Sequence, residues 1–99
     1  MIRWTRTARI AAGKWPEVMT WAQEITECVS QAAGVKAQLF VQVGGPVGTL
    51  QWSMDYDNMA AMEAAAPKVN ADATYQKLAK ASGEFLIEGS SHDTIMRST

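Results

Sequence analysis

Cysteine and histidine are nearly absent, with Cys28 and His92 the single examples among 99 residues. One thiol excludes an internal disulfide and a multi-cysteine metal site, and one Cys with one His cannot supply a structural zinc site. No metal and no cofactor are therefore expected, and the lone thiol suits a reducing compartment. The first residues carry Arg3, Arg6 and Arg9 and no apolar signal core, and no uncharged apolar run approaches the roughly 18 residues of a membrane span. A cytoplasmic protein that does not enter membranes is the expectation. Excess charge is lacking too: nine Lys+Arg against ten Asp+Glu leave a net −1. Nothing here draws the chain to nucleic acid or to an anionic lipid surface.

Catalytic signatures are equally scarce. With one His and scattered acids, neither a Ser/His/Asp order nor a paired-carboxylate spacing can be read. Gly44-Gly45-Pro46-Val47-Gly48 is followed by a strand pattern rather than the helix N-terminus that a phosphate cradle requires, so it reads as a turn. Asp55 and Asp57 bracket Tyr56 without the Gly and distal Glu of a calcium loop.

What is present is a globular composition, 47% hydrophobic and 19% charged, in a length that suits one domain over residues 1–99. Ile2, Trp4, Arg6, Ala8 and Ile10 alternate with Arg3, Thr5, Thr7 and Arg9, the period of a two-faced strand. Pro16 opens a helix whose apolar stripe is Trp15, Val18, Ala22, Ile25, Val29 and Ala32, and Gly34 ends it. Val35, Ala37, Leu39, Val41 and Val43 alternate with Lys36, Gln38, Phe40 and Gln42. After the Gly/Pro turn, Leu50, Trp52, Met54 and Tyr56 alternate with Thr49, Gln51, Ser53 and Asp55, which together predict a β-hairpin. Asp57 or Asn58 caps a second, Ala-rich helix. Pro67 predicts a break in it, with a fresh start near Asn70 or Asp72 and Tyr75, Leu78 and Ala79 facing inward. Phe85-Leu86-Ile87 is expected to begin the last strand, continued by Thr94-Ile95-Met96 past the irregular Gly89-Ser90-Ser91.

The order βαββαβ predicts an α+β, ferredoxin-like fold: a four-stranded antiparallel sheet with two helices on one face. If the polar residues of each strand turn away from the helices, the open face presents Thr5, Thr7, Gln38, Phe40, Gln42, Gln51 and Ser53. Such a face, short of charge at its centre, suits a second sheet better than water, so a homodimer joined through sheet faces is expected.

Thr5-Arg6-Thr7-Ala8-Arg9-Ile10-Ala11-Ala12-Gly13-Lys14 resembles the first strand and turn of NIPSNAP-like proteins, in which a strand Arg precedes a turn ending in Gly-Lys. Met54-Asp55-Tyr56-Asp57-Asn58 is similar to that family's aromatic-x-Tyr before the second helix, and Asp72-Ala73-Thr74-Tyr75 to its Asp-x-x-aromatic. Met54 stands where the family favours Trp, Met62 where a helix Arg is common, and Ala8 where an aromatic is expected. The resemblance implies the dimeric α/β-barrel superfamily, in which each subunit holds a pocket between sheet and helices or in the shared barrel. Relatives there include cofactor-independent monooxygenases, isomerases, polyketide cyclases and haem-degrading enzymes. The last carry a His on the second helix, which this chain lacks.

Six residues are candidates for contact with a small apolar or aromatic ligand: Arg6, Gln38, Phe40, Ser53, Tyr56 and His92. Arg6 offers a bidentate fork to a carboxylate or enolate oxygen, or else sits in an internal ion pair with a helix Glu or reaches solvent. Phe40 either plugs the barrel centre across the dimer axis or stacks on a ligand. Tyr56 and Trp52 share a strand face that reads first as core. His92 has the pKa of a proton shuttle, yet its neighbour Asp93 points to the other strand face, so the two form no dyad. Binding of such a molecule is the expected function; cofactor-independent oxygenation, or isomerisation or cyclisation, of a phenolic or polyketide-like substrate is the alternative.

Overall fold

The computed structural model describes all residues, Met1–Thr99. Its elements are β1 (Ile2–Arg9), α1 (Trp15–Ala33), β2 (Ala37–Val41), β3 (Thr49–Tyr56), α2 (Met59–Asn70), α3 (Ala73–Lys80), a one-turn α4 (Ser82–Phe85) and β4 (His92–Arg97). The strands form one antiparallel sheet in the order β2-β3-β1-β4. This is the ferredoxin-like βαββαβ arrangement, one sheet with one helical layer. No helix is long and apolar enough to cross a membrane.

Alternation decides which residues the helices cover. Ala8, Leu50 and Trp52 pack with Val18, Trp21, Ala22 and Ile25 of α1, and Ala37, Met54 and Tyr56 pack with Ala33 and Ala65. On the other face the cross-strand rows are Phe40–Gln51–Thr7–His92 and Gln38–Ser53–Thr5–Thr94. The polar set does turn outward.

Four details differ from the sequence reading. Pro67 does not break α2; the helix runs on to Asn70, with Ala71 N–H donating to the Pro67 carbonyl at 3.0 Å. Pro67 is on the exposed side, where the carbonyl it leaves unpaired reaches water. The break comes at Asp72, whose carboxylate accepts from Tyr75 N–H at 2.8 Å and caps α3, as Asn58 caps α2 through Ala61 N–H. Second, Phe85 ends a helical turn rather than beginning a strand, because its ring packs on Trp21 with centroids 5.4 Å apart. Leu86 makes one bridge to Ile10, and the true strand begins at His92, after Gly89 turns the chain at φ +77°. Third, Trp15 is 46% exposed and Trp21 takes its place in the core. Fourth, Val35 and Val43 flank β2 rather than extend it, Val43 being fully exposed in the turn.

Candidate functional site

The helical layer is under-filled. α2 is rich in Ala and buries only Ala65, and α3 buries no residue completely, so short side chains leave space above the sheet. The space is a cavity of about 500 Å³ between the two core clusters. Its floor is Trp4, Arg6, Trp52, Met54 and Tyr56 from the central strands, with Ala37 and Ile95 beside them. Its walls are Trp21, Ile25 and Val29 of α1, Met62, Ala66 and Val69 of α2, and Tyr75 and Ala79 of α3. The volume and the apolar lining are those of a small-molecule pocket.

The three indole N–H groups around the cavity are engaged. Trp21 Nε1 donates to the Leu78 carbonyl at 2.8 Å, Trp52 Nε1 to Thr26 Oγ1 at 2.9 Å and Trp4 Nε1 to Asp93 Oδ2 at 3.4 Å. Trp21 and Trp52 meet edge to face, centroids 6.0 Å apart, which fixes the α1 wall against the floor.

Arg6 lies directly opposite Asp93 across the β1–β4 ladder. Its Nε and Nη2 donate to the two carboxylate oxygens at 2.6 and 2.9 Å, and its guanidinium sits over the Trp4 ring, 5.3 Å from the centroid. The hydrogen bonds to Asp93 raise the Arg6 pKa above its ordinary value against the opposing effect of burial, with smaller help from Tyr75. The same bonds hold Asp93 below the usual carboxylate range. The ion pair expected with a helix Glu is therefore made with a strand Asp, because register puts the carboxylate in the adjacent position. The bidentate fork expected to meet a ligand is already filled.

Tyr56 is only 8% exposed, and its hydroxyl donates to the Met54 thioether at 3.6 Å. Sulfur is a weak acceptor, and burial pushes the phenol pKa up. Tyr56 is thus a protonated donor with poor occupation at the cavity floor.

The six expected residues divide between the faces. Arg6 and Tyr56 line the cavity. Gln38, Phe40, Ser53 and His92 lie on the opposite face, since each pairs across the ladder with a residue pointing away from the helices. They cannot share one pocket with Arg6 and Tyr56 within a subunit. Phe40 is on the edge strand β2, about half exposed on the outward face. His92 and Asp93 point to opposite faces, as the period of the strand requires. The sequence reading missed Asp93, Trp21 and Met62 as wall or partner residues. Trp21 had a signal: it stands three residues after Val18 and four before Ile25, beside the same stripe. Asp93 had none, because its role depends on long-range register. No three His, Cys, Asp or Glu side chains converge as metal ligands would.

This sheet order with its helical layer is a fold shared with solved NIPSNAP proteins and with an antibiotic biosynthesis monooxygenase. The chain superposes on the NIPSNAP proteins over essentially its whole length. It matches an uncharacterized NIPSNAP domain protein from Burkholderia xenovorans with TM-score 0.84 and 21% identity, covering 100% of this chain and 95% of the other. A NIPSNAP family protein from Agrobacterium tumefaciens gives TM-score 0.82 and 21% identity over 99% and 85% of the two chains. An antibiotic biosynthesis monooxygenase gives TM-score 0.73 and 15% identity over 100% and 99%. At these identities the likeness is one of fold. No protein-family model matches the sequence, and no curated protein matches it.

Proposed function

We propose that residues 1–99 form a single-domain, cytoplasmic, homodimeric α/β-barrel protein whose subunits each bind a small apolar or aromatic molecule without a cofactor. The observation that carries this reading is the cavity of about 500 Å³ floored by Trp4, Trp52, Met54 and Tyr56. A concave space of this size, lined mostly by apolar and aromatic side chains and open at a rim of Glu63, Asn70 and Ser91, has the form of a small-molecule site. The dimer reading rests on the open face, where Thr5 and Ser53 occupy the centre and Phe40 and Met96 are about half exposed, 47% and 52%. Water solvates such a surface poorly compared with one rich in Lys and Glu. The free thiol of Cys28 suits the cytoplasm.

The likeness to an antibiotic biosynthesis monooxygenase favours a second reading, cofactor-independent oxygenation or isomerisation of a phenolic or polyketide-like compound in the same cavity. Both are tested by native mass spectrometry of the untagged protein purified from cells. A dimer carrying extra mass is expected, and the added compound would name the ligand class. A monomer would remove the barrel, and a bare dimer that takes up no aromatic probe would remove the pocket reading.

A further inference from the structure

The charges and donors around the cavity limit what it can accept. The cavity lining contains one cation, Arg6, whose side-on fork Nε/Nη2 is filled by Asp93, and one anion, Glu63. Counting Asp93 with its partner, the surroundings are net negative, and no Lys contributes to the lining. An incoming carboxylate would leave water for an apolar space without gaining a free cation, a costly transfer. Donors are equally restricted. The indole N–H groups of Trp4, Trp21 and Trp52 are taken by Asp93, Leu78 and Thr26. Glu63, Asn70 and Ser91 are exposed and belong to the rim. Of the hydroxyls in the lining, those of Tyr75 and Ser82 are on half-buried residues, and the one on a buried residue is that of Tyr56, held only by a thioether at 3.6 Å.

We infer that the cavity selects uncharged, ring-containing molecules bearing one oxygen acceptor, such as an aryl ketone, that this oxygen takes the Tyr56 proton donor in place of Met54, and that carboxylates are excluded. The inference rests on the pocket reading above and adds the ligand's chemical class and its anchoring residue. Tyr56 lies opposite Ile2, four residues along β3 from Trp52, the partner of Arg6. At a strand rise of about 3.3 Å per residue the two positions are roughly 13 Å apart along the backbone, and, with the Arg6 guanidinium over the Trp4 ring, a ligand held by Tyr56 packs against Met54. A phenol is a protonated donor at neutral pH, and burial pushes its pKa further up.

The test is equilibrium dialysis of the intact protein at pH 8 against three probes of one shape: 2-acetylnaphthalene, naphthalene and 2-naphthoate. The ketone is expected to bind roughly three- to tenfold more tightly than naphthalene, the value of one hydrogen bond, and naphthoate more weakly than either. Tyr56→Phe should bring the ketone down to the naphthalene level and leave naphthalene unchanged, which separates loss of the donor from loss of the pocket. Asp93→Asn should raise naphthoate binding by freeing the Arg6 fork. Naphthoate binding as tightly as the ketone to the wild type, or an unchanged ketone affinity in Tyr56→Phe, overturns the selectivity while leaving the pocket in place. Retention of none of the three overturns the pocket reading as well. If Asp93→Asn fails to fold, the wild-type series and Tyr56→Phe still decide the matter.

Discussion

The two faces of the sheet are built from alternate residues of the same four strands, yet they solve opposite problems. The helix-facing set, Leu50, Trp52, Met54 and Tyr56 on β3, is buried, large and aromatic, but the helices above it are too rich in alanine to fill the space it leaves. The outward set on the same strand, Thr49, Gln51, Ser53 and Asp55, is short and polar. Two of its members, Thr49 and Ser53, and their neighbour Thr5 are buried all the same, at 7–8% exposed. One face has apolar surface and lacks a filling. The other has polar groups packed tightly among themselves and lacks charge at its centre. The comparison shows that burial alone does not identify the core: the helix-facing side gains stability from excluding water, whereas the outward side gains it only when a second surface arrives.

The strongest way to break this comparison is to change neighbouring residues of β3 that point to opposite faces. Leu50 has no exposed surface, and Leu50→Ala should cost about 2–5 kcal/mol, a fall in Tm of roughly 4–8 °C for each kcal/mol in a domain of this size. Gln51→Ala, one residue on, should cost less than about 0.5 kcal/mol. Thermal unfolding of the two variants checks this, and equal losses would mean that the faces are not distinct. On the outward side, Phe40→Glu should separate the proposed dimer, since it removes an apolar contact and introduces a charge into the sheet-to-sheet surface. A rise in the dimer Kd of roughly thirtyfold, about 2 kcal/mol, is expected with Tm of the monomer retained. Sedimentation equilibrium measures it. An unchanged dimer would place the interface elsewhere.

Much of the fold was legible because it depends on short-range pattern. Strand alternation at Ile2–Ile10 and Thr49–Tyr56, the stop at Gly34 and the Gly/Pro turn each rest on rules that operate within a few residues. Gly34 takes φ +71° and its N–H donates to the Ser30 carbonyl at 3.1 Å, the left-handed cap expected of it. The failures have a common physical origin in tertiary context. Phe85 has strand propensity, but contact with Trp21 holds it in a helical turn, and exposure lets Pro67 remain in a helix that propensity alone would end. Only two of the six candidate residues line the cavity. Arg6 and Tyr56 were found as residues, but separating them from Gln38, Phe40, Ser53 and His92 requires the strand pairing, and pairing also supplies Asp93. A sequence states which residues share a strand face; it does not state which face the helices cover.

The smallest effect concerns two ion pairs of the same chemistry, one on each face. Arg3 binds Asp55 with bonds of 2.8 and 3.0 Å on the outward side, and Arg6 binds Asp93 with bonds of 2.6 and 2.9 Å on the cavity side. Both carboxyls titrate below their usual range, in each case chiefly through the hydrogen bonds from the arginine. A carboxyl whose folded pKa is depressed stabilises the fold above its unfolded value of about 4, and the contribution is lost as pH falls through the folded value. Asp93→Asn should therefore lower stability at pH 7, and the gap from wild type should close below about pH 4. Asp93 is 41% exposed, so screening by water limits the loss to about 1 kcal/mol. Asp55→Asn should follow the same pH course with a smaller amplitude, because Arg3 has no indole beneath it and Asp55 accepts no second donor as Asp93 does from Trp4. Thermal melts of both variants between pH 3 and pH 8 measure the difference. Equal amplitudes would show that the Trp4 contacts add nothing, and that Arg6 is held at the cavity by charge alone.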